Sequence, residues 1–271
     1  PRFAVFGKYV IMVNSCSRPI TIDQAGTVRV LTPQAPRTLP TLSGGSGGTL
    51  TGTYKVVQTF LILDTAGNLI SESGMGPISL SGTVASQYLV VAGMDVSTDT
   101  VSASRLYRTT TQGSVLFKWI DLDGNTATTI QDDLSDADLS LVAAPSLGSA
   151  PDLTLVAEWR GRLWGASRAD IDHLRYSETG MMYAWPILND ILVPKEGSDS
   201  RGVTALLARR EVLGVGRRNL LWQVTGSSAS DFRMVKISEN IGVESQESAK
   251  IYQDTAFFLW KDGVYQWDSS G

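Results

Sequence analysis

Arg160-Gly161-Arg162-Leu163-Trp164-Gly165-Ala166 decides the fold: a polar, glycine-bearing turn, then a short apolar strand. The same unit returns as Arg209-Arg210-Glu211-Val212-Leu213-Gly214-Val215 and as Asp254-Thr255-Ala256-Phe257-Phe258-Leu259. An early copy, Gly7-Lys8-Tyr9-Val10-Ile11-Met12-Val13, stands near the start. The last three copies lie about 40–50 residues apart, room for about four strands each, which is the spacing of β-propeller blades. The interval between the first two copies is far longer. The opening therefore reads as half of one repeat, with a domain inserted in the first blade's connection. The expected fold class is all-β: an incomplete β-propeller-type body carrying an inserted immunoglobulin or fibronectin type III-like β-sandwich.

Working outward, residues 1–32 are read as the first propeller strands, Tyr9–Asn14 and Ile20–Asp23. Residues 33–48 are read as a linker, because Pro33, Pro36 and Pro40 precede Ser43-Gly44-Gly45-Ser46-Gly47-Gly48. Proline blocks helix and central strand, and a Gly/Ser run carries a high ordering entropy. Residues 49–142 are the expected sandwich. Tyr54, Val56, Gln58, Phe60 and Ile62 alternate on one strand face, followed by the turn Asp64-Thr65-Ala66-Gly67-Asn68. Strands follow at Ile78–Val84, Tyr88–Val91, Ser104–Thr109, Val115–Ile120 and Ala127–Ile130, with Asp123-Gly124 as a hairpin signal between the last two. Strands at this density, with frequent turn residues and no helical period, describe a sandwich. Residues 143–152, with Ala144-Pro145 and Ala150-Pro151, are the exit linker. Residues 153–271 are the blades, with eleven short strands from Leu153–Ala157 to Val264–Trp267. The chain begins at Pro1 and stops just after Gln266-Trp267-Asp268, where a blade would continue, so it is read as a segment of a longer polypeptide.

Composition narrows the function classes. Hydrophobic content of 42% against 18% charge is that of a folded chain and not a disordered one. A net charge of −4 argues against a nucleic-acid grip, which needs a basic surface to release counterions. DNA could pass nearby without sequence-specific binding. A single cysteine, Cys16, leaves no internal disulfide framework and is expected to be semi-buried. Apolar runs reach about five residues where a membrane span needs about 18–20.

No catalytic, cofactor-binding or metal-binding residue is assigned, and no cofactor is expected. His173 is the only histidine and is placed at a strand end. Asp121-Leu122-Asp123-Gly124-Asn125 imitates the start of a calcium loop but lacks the closing bidentate glutamate, so a solvated hairpin tip is the favoured reading. Asp132, Asp133, Asp136 and Asp138 could bind a divalent ion, although clustered carboxylates in a linker usually face water. Ser43–Gly48 lacks the Lys-Ser or Lys-Thr of a phosphate cradle. Ser177-Glu178-Thr179-Gly180 with Trp185 resembles the turn that decorates sialidase propellers, without its aspartate. Arg209, Arg210, Arg217 and Arg218 are expected to be exposed, serving solubility and cross-subunit pairing or, in a sharper reading, facing phosphate. Trp159, Trp164, Trp222 and Trp260 fit inter-blade packing better than a carbohydrate-stacking platform.

Several of these motifs carry a family resemblance. Tyr54, Asp64-Thr65-Ala66-Gly67-Asn68, Ser71-Glu72-Ser73, Arg105-Leu106-Tyr107-Arg108-Thr109, Thr128–Asp132 and Asp136-Ala137-Asp138-Leu139 resemble the inserted sandwich of many tailed-phage virion proteins. Trp159–Gly165, Leu174-Arg175-Tyr176-Ser177-Glu178, Trp185-Pro186 and Trp260-Lys261-Asp262-Gly263-Val264-Tyr265 look like their blade strands. The family is the tail nozzle (tail tubular protein B-like) group of short-tailed phages, whose members are usually much longer. The resemblance implies a non-enzymatic structural subunit in the virion (phage tail), assembled as a homo-oligomeric, six-fold ring that continues the DNA exit channel and meets other tail or connector proteins. The alternative is a carbohydrate-binding adhesin or glycan-hydrolysing propeller on a virion or cell surface. That activity needs paired carboxylates, and no such pair stands at convincing loop positions.

Overall fold

The computed structural model describes residues 1–140, 142–195 and 201–268; the end of the expected blade region, 269–271, lies outside them. Among the described residues the chain is all-β, with one 3₁₀ turn at Gln246–Ser248 and no α-helix. It divides into two compact units, Pro1–Leu31 with Ala150–Gly271, and Thr32–Ser149.

The first 31 residues form a complete sheet of four strands, β1 (Arg2–Phe6), β2 (Tyr9–Val13), β3 (Ile20–Ile22) and β4 (Val28–Val30), in the order β1-β2-β3-β4. This corrects the expectation of half a repeat that distant strands complete: β2 pairs with β1 and β3, its sequence neighbours. The additional residues therefore follow a finished sheet and do not split one. The Gly7 turn, at φ +57, closes the β1–β2 hairpin, while Asp23 caps the β3–β4 turn by accepting the amides of Ala25 and Thr27.

The Thr32–Ser149 unit holds β5 (Thr41–Tyr54), β6 (Val56–Leu63), β7 (Leu69–Glu72), β8 (Gly82–Ala92), β9 (Ala103–Thr109), β10 (Leu116–Asp123) and β11 (Thr129–Asp132). They make one sheet in the order β10-β9-β6-β7 and another in the order β11-β8-β5. Tyr54 and Leu50 of β5, Val84 and Leu89 of β8, Val56 of β6 and Leu106 of β9 share one buried core between them.

The expected 33–48 linker is corrected here, because its Gly/Ser run lies in the first part of β5, where Ser43–Gly45 pair with β8 before the register shifts ahead of Leu50. The glycines let two backbones approach. A Cβ on Gly48 would lie 2.1 Å from the Tyr88 amide nitrogen. The prolines before it are also held, since Asp99 accepts the Gln34 amide and Asp95 that of Arg37. Asp123-Gly124 is not a hairpin either: β10 pairs with β9, and β11 pairs with β8 in the other sheet, so this turn crosses between sheets. The start of the expected exit linker is likewise strand-like, with Lys118 donating its amide to Val142 and Ala144 donating to Leu116.

The remaining strands return to the first unit: β12 (Leu153–Trp159), β13 (Arg162–Ser167), β14 (His173–Tyr176), β15 (Asp190–Leu192), β16 (Ala205–Ala208), β17 (Leu213–Gly216), β18 (Leu221–Thr225), β19 (Arg233–Ser238), β20 (Ala249–Tyr252), β21 (Thr255–Trp260) and β22 (Gly263–Trp267). They form three antiparallel meanders, β12-β13-β14-β15, β16-β17-β18-β19 and β20-β21-β22. The first strands stand in series: β1 packs against β12, β12 against β16 and β16 against β20.

The inner sheets are covered on both faces. Leu206 of β16 joins the core shared with the β12–β15 sheet, while its neighbours Ala205 and Leu207 join the core shared with β20–β22. That explains why β13 and β16 read as continuous apolar runs and not as alternating ones.

Candidate functional site: buried arginine locks and uncovered sheet faces

Polar side chains in the first unit hold sheet to sheet at three levels. Within the gap between β12–β15 and β16–β19, fully buried Arg217 donates to Asp172 Oδ1 at 2.8 Å and to the Val193 carbonyl at 3.3 Å. Burial opposes ionisation of Asp172, but the hydrogen bonds from Arg217 and Lys195 outweigh it and hold the carboxyl below its ordinary pKa. In the next gap Arg209 stacks on Trp267, 4.5 Å from the ring centroid, and donates to the carbonyls of Asp254 and Asp268.

Along the first-hairpin turns, Arg160 bonds Glu211 at 2.9 Å and the Arg210 amide bonds Asp254 at 2.6 Å, so each turn is tied to the next. Where the first strands begin, Arg2 bonds the Thr154 carbonyl at 2.6 Å and Glu247 at 2.8 Å, linking the first sheet to the lead-in of the last. The Arg2 hydrogen bond, helped by the backbone amide of Glu247 itself, holds Glu247 at a pKa of about 2. Gln246 completes this level by bonding both backbone groups of Leu206.

The arginine expectation is thus half corrected. Arg210 and Arg218 keep exposed side chains, at 84% and 41%, whereas Arg209 and Arg217 are buried. Proximity to a turn in sequence placed all four at hairpin ends. Only the neighbouring sheet decides which of them are enclosed.

The acidic run is corrected in the same way. Asp132, 2% exposed, pairs with fully buried Arg108 at 2.5 Å, and Asp136 meets the same guanidinium at 3.1 Å. Asp133 accepts the Thr49 amide and Asp138 accepts from Ser135. A second buried carboxylate, Glu72, accepts from Thr59 at 2.7 Å, Tyr107 at 2.6 Å and Arg105 at 3.0 Å. Burial, then the adjacent Glu72 charge, pushes the Tyr107 hydroxyl far above its usual pKa. The Ser71-Glu72-Ser73 motif offered no local sign of this network, since its partners lie on two other strands, β6 and β9.

The other candidates fall into structural roles. Asp121 lies on β10, paired with Arg105 and Lys118, and Asn125 bonds Ser97, so the calcium-like stretch is not a loop of converging ligands. Glu178 bonds Arg162 and Asn189, and Trp185 is buried with its ring N–H donating to Met182. His173 opens β14, with Nδ1 2.6 Å from Asp190. Cys16 is exposed, contrary to expectation. Trp159, Trp164 and Trp222 are buried in the core between two sheets and present no stacking platform for a sugar. Among the described residues no group of three or more His, Cys, Asp or Glu is placed to hold a metal ion, and no helix is long and apolar enough to cross a membrane.

Small clefts lie among the described residues. One of about 280 Å³ lies in the Thr32–Ser149 unit between Gln34, Arg37, Phe60, Asp95 and Ser97. Another, about 180 Å³, lies where Arg2, Asn14, Ser15, Thr154 and Glu247 meet. Both are small and polar-rimmed. The larger unsatisfied surface is apolar: Phe3, Val5 and Val28 on the first sheet, and Tyr252 and Val264 on the last, are each more than half exposed. No protein-family model matches the chain, and no curated protein is similar to it.

Proposed function

We propose that the chain is a structural subunit of a bacteriophage tail, a nozzle or tube component that forms a ring around the DNA exit channel. In this reading the first unit is an arc of β-propeller blades, and the Thr32–Ser149 unit is an immunoglobulin or fibronectin type III-like β-sandwich. The observation that carries it is the serial stacking of four meander sheets through their first strands, β1, β12, β16 and β20. Stacked meanders presenting one strand each toward a common line are the design of a propeller scaffold. Such a scaffold depends on rigidity, and the buried charges serve it, Arg217–Asp172 and Arg209–Trp267 between sheets and Arg108–Asp132 in the other unit.

The function is assembly without catalysis. Copies related by rotation meet through heterologous contacts that close a ring, six-fold in this reading, and other tail or connector proteins dock on its ends. A net charge of −4 lets DNA pass without a phosphate grip. The test is electron microscopy of phage particles decorated with an antibody to this chain, together with imaging of the purified protein. Label at the tail and rings with a central channel support the reading. A chain absent from particles, or a stable monomer that binds a glycan tightly, overturns it.

A further inference from the structure

Two segments of the Thr32–Ser149 unit, 33–38 and 94–99, face each other across the cleft of about 280 Å³, with buried Phe60 of β6 at its base. Neither segment is a strand, yet both are held by paired hydrogen bonds. The Gln58 side-chain amide bonds both backbone groups of Asp95, at 2.8 and 2.9 Å, and the Asn125 amide bonds both of Ser97, at 2.8 and 2.7 Å. The Asp95 carboxylate accepts the Arg37 amide at 2.7 Å and the Val96 amide at 2.9 Å. Asp99 accepts the Gln34 amide at 2.8 Å, so the two walls are tied to each other. The side chains at their tips take no part in this. Among the described residues the Arg37 guanidinium has no hydrogen-bond or ion-pair partner, and neither do the side chains of Gln34, Thr38 and Thr98, all of which line the cleft.

We propose that this cleft binds one neutral hexose unit through adjacent ring hydroxyls. Charge selects the ligand. The lining carries one guanidinium, Arg37, and one carboxylate, Asp95, and no ion pair joins the two side chains. An anionic ligand would face the carboxylate and a cationic one the guanidinium. A neutral ligand that both donates and accepts satisfies the two together, as a vicinal diol does. Its hydroxyls accept from the guanidinium and donate to the carboxylate, whose oxygens each accept one amide and keep a lone pair for a further donor. The Gln34 amide and the Thr38 and Thr98 hydroxyls add donors and acceptors around the rim. Val96, 44% exposed, offers the C–H face of the ring an apolar surface beside them. The volume lies at the small end of ligand pockets and admits one ring, not an oligosaccharide. Walls already held in place lower the ordering cost of binding, and a ligand this small binds weakly, near about 1 mM. The inference is independent of the assembly proposed above: a weak site for one sugar neither needs a ring nor amounts to the tight glycan binding that would refute one.

The experiment is nuclear magnetic resonance of the isotope-labelled chain, residues 1–271, titrated with the methyl glycosides of glucose, galactose and mannose. Acetate, glycine and methylammonium are the charged comparisons. At least one glycoside should shift the backbone amides of 34–38 and 95–98 along a saturating curve, half complete near about 1 mM. Arg37→Met keeps the backbone bond to Asp95 and should weaken that curve at least about fivefold, the factor one hydrogen bond carries. Unmoved side-chain amide signals of Gln58 and Asn125 are the check on folding. Thr98→Val, with no change in charge and the same fivefold expectation, carries the test should those signals move. No shift of the cleft amides with any of the glycosides up to about 100 mM overturns the proposal. So does an equal response to acetate, glycine or methylammonium, because the cleft is then an ionic site. Glycoside binding that Arg37→Met leaves unchanged overturns it as well.

Discussion

Arg108→Met should be among the most damaging single substitutions in the Thr32–Ser149 unit. Arg108 is fully buried on β9, pairs with Asp132 at 2.5 Å and Asp136 at 3.1 Å, and lies 4.9 Å over the Tyr54 ring. Methionine fills much of the volume but leaves the Asp132 carboxylate buried without a counter-charge. Breaking a buried pair from one side costs about 3–5 kcal/mol. With a urea dependence of about 2 kcal/mol per molar, the unfolding midpoint of this unit falls by about 2 M. Hydrogen exchange followed by mass spectrometry across a urea series, read on peptides from β6, β8 and β9, isolates the unit from the rest of the chain.

The pair also sets the pH response. Burial already raises the Asp132 pKa, more than the Leu134 amide and Arg108 lower it, and removing Arg108 raises it further. A carboxyl whose folded pKa exceeds its unfolded value takes up a proton on folding. The deficit is therefore largest at neutral pH and shrinks as pH falls through the folded pKa. The double variant Arg108→Met/Asp132→Leu should recover most of the loss, short of about 1 kcal/mol for the Leu134 amide that Asp132 accepts. A single-variant midpoint shift below about 0.5 M, or a double variant no better than the single, refutes the reasoning.

Gly48→Ala should cost more than about 2 kcal/mol in the same unit, because the new methyl meets the Tyr88 amide nitrogen at 2.1 Å. Gly7→Ala should cost only about 1–2 kcal/mol of left-handed strain, since its Cβ meets nothing within 4 Å at φ +57; urea midpoints separate the two. Arg217→Met should lower the stability of the first unit by about 2 kcal/mol, less than the Arg108 change, because Asp172 keeps Lys195 at 3.1 Å; the tryptophan fluorescence of Trp164 and Trp222 reports it. Asp23, Asp231 and Glu247 are all held at about 2, respectively by Arg29, by the Ser228 and Ser227 groups, and by Arg2. Carboxyls depressed in the folded state contribute stability above about pH 4 that is lost toward pH 2, so thermal melts should soften across that window, and Arg2→Ala should remove the Glu247 share.

The eleven strands from Leu153 to Trp267 were all legible in sequence, to within a residue or two, because each is a short apolar stretch bracketed by turn residues. Alternation and turn chemistry are local properties, written in neighbouring residues. Partner choice is not. The sequence showed β2 and β3 but passed over β1 and β4, whose pairing completes the first sheet. It marked a turn at Asp123-Gly124, yet could not tell that the strands on either side belong to different sheets. It made a linker of Ser43–Gly48, because glycine is entropically costly alone, and only the close approach of β8 turns that cost into a fit. The same holds for charge. A local reading sent Asp132, Arg209 and Arg217 to the surface, where isolated charges are best solvated. The fold instead buries each beside a partner tens of residues away, since Coulomb attraction and hydrogen bonds to a distant strand can offset desolvation only once the sheets have packed.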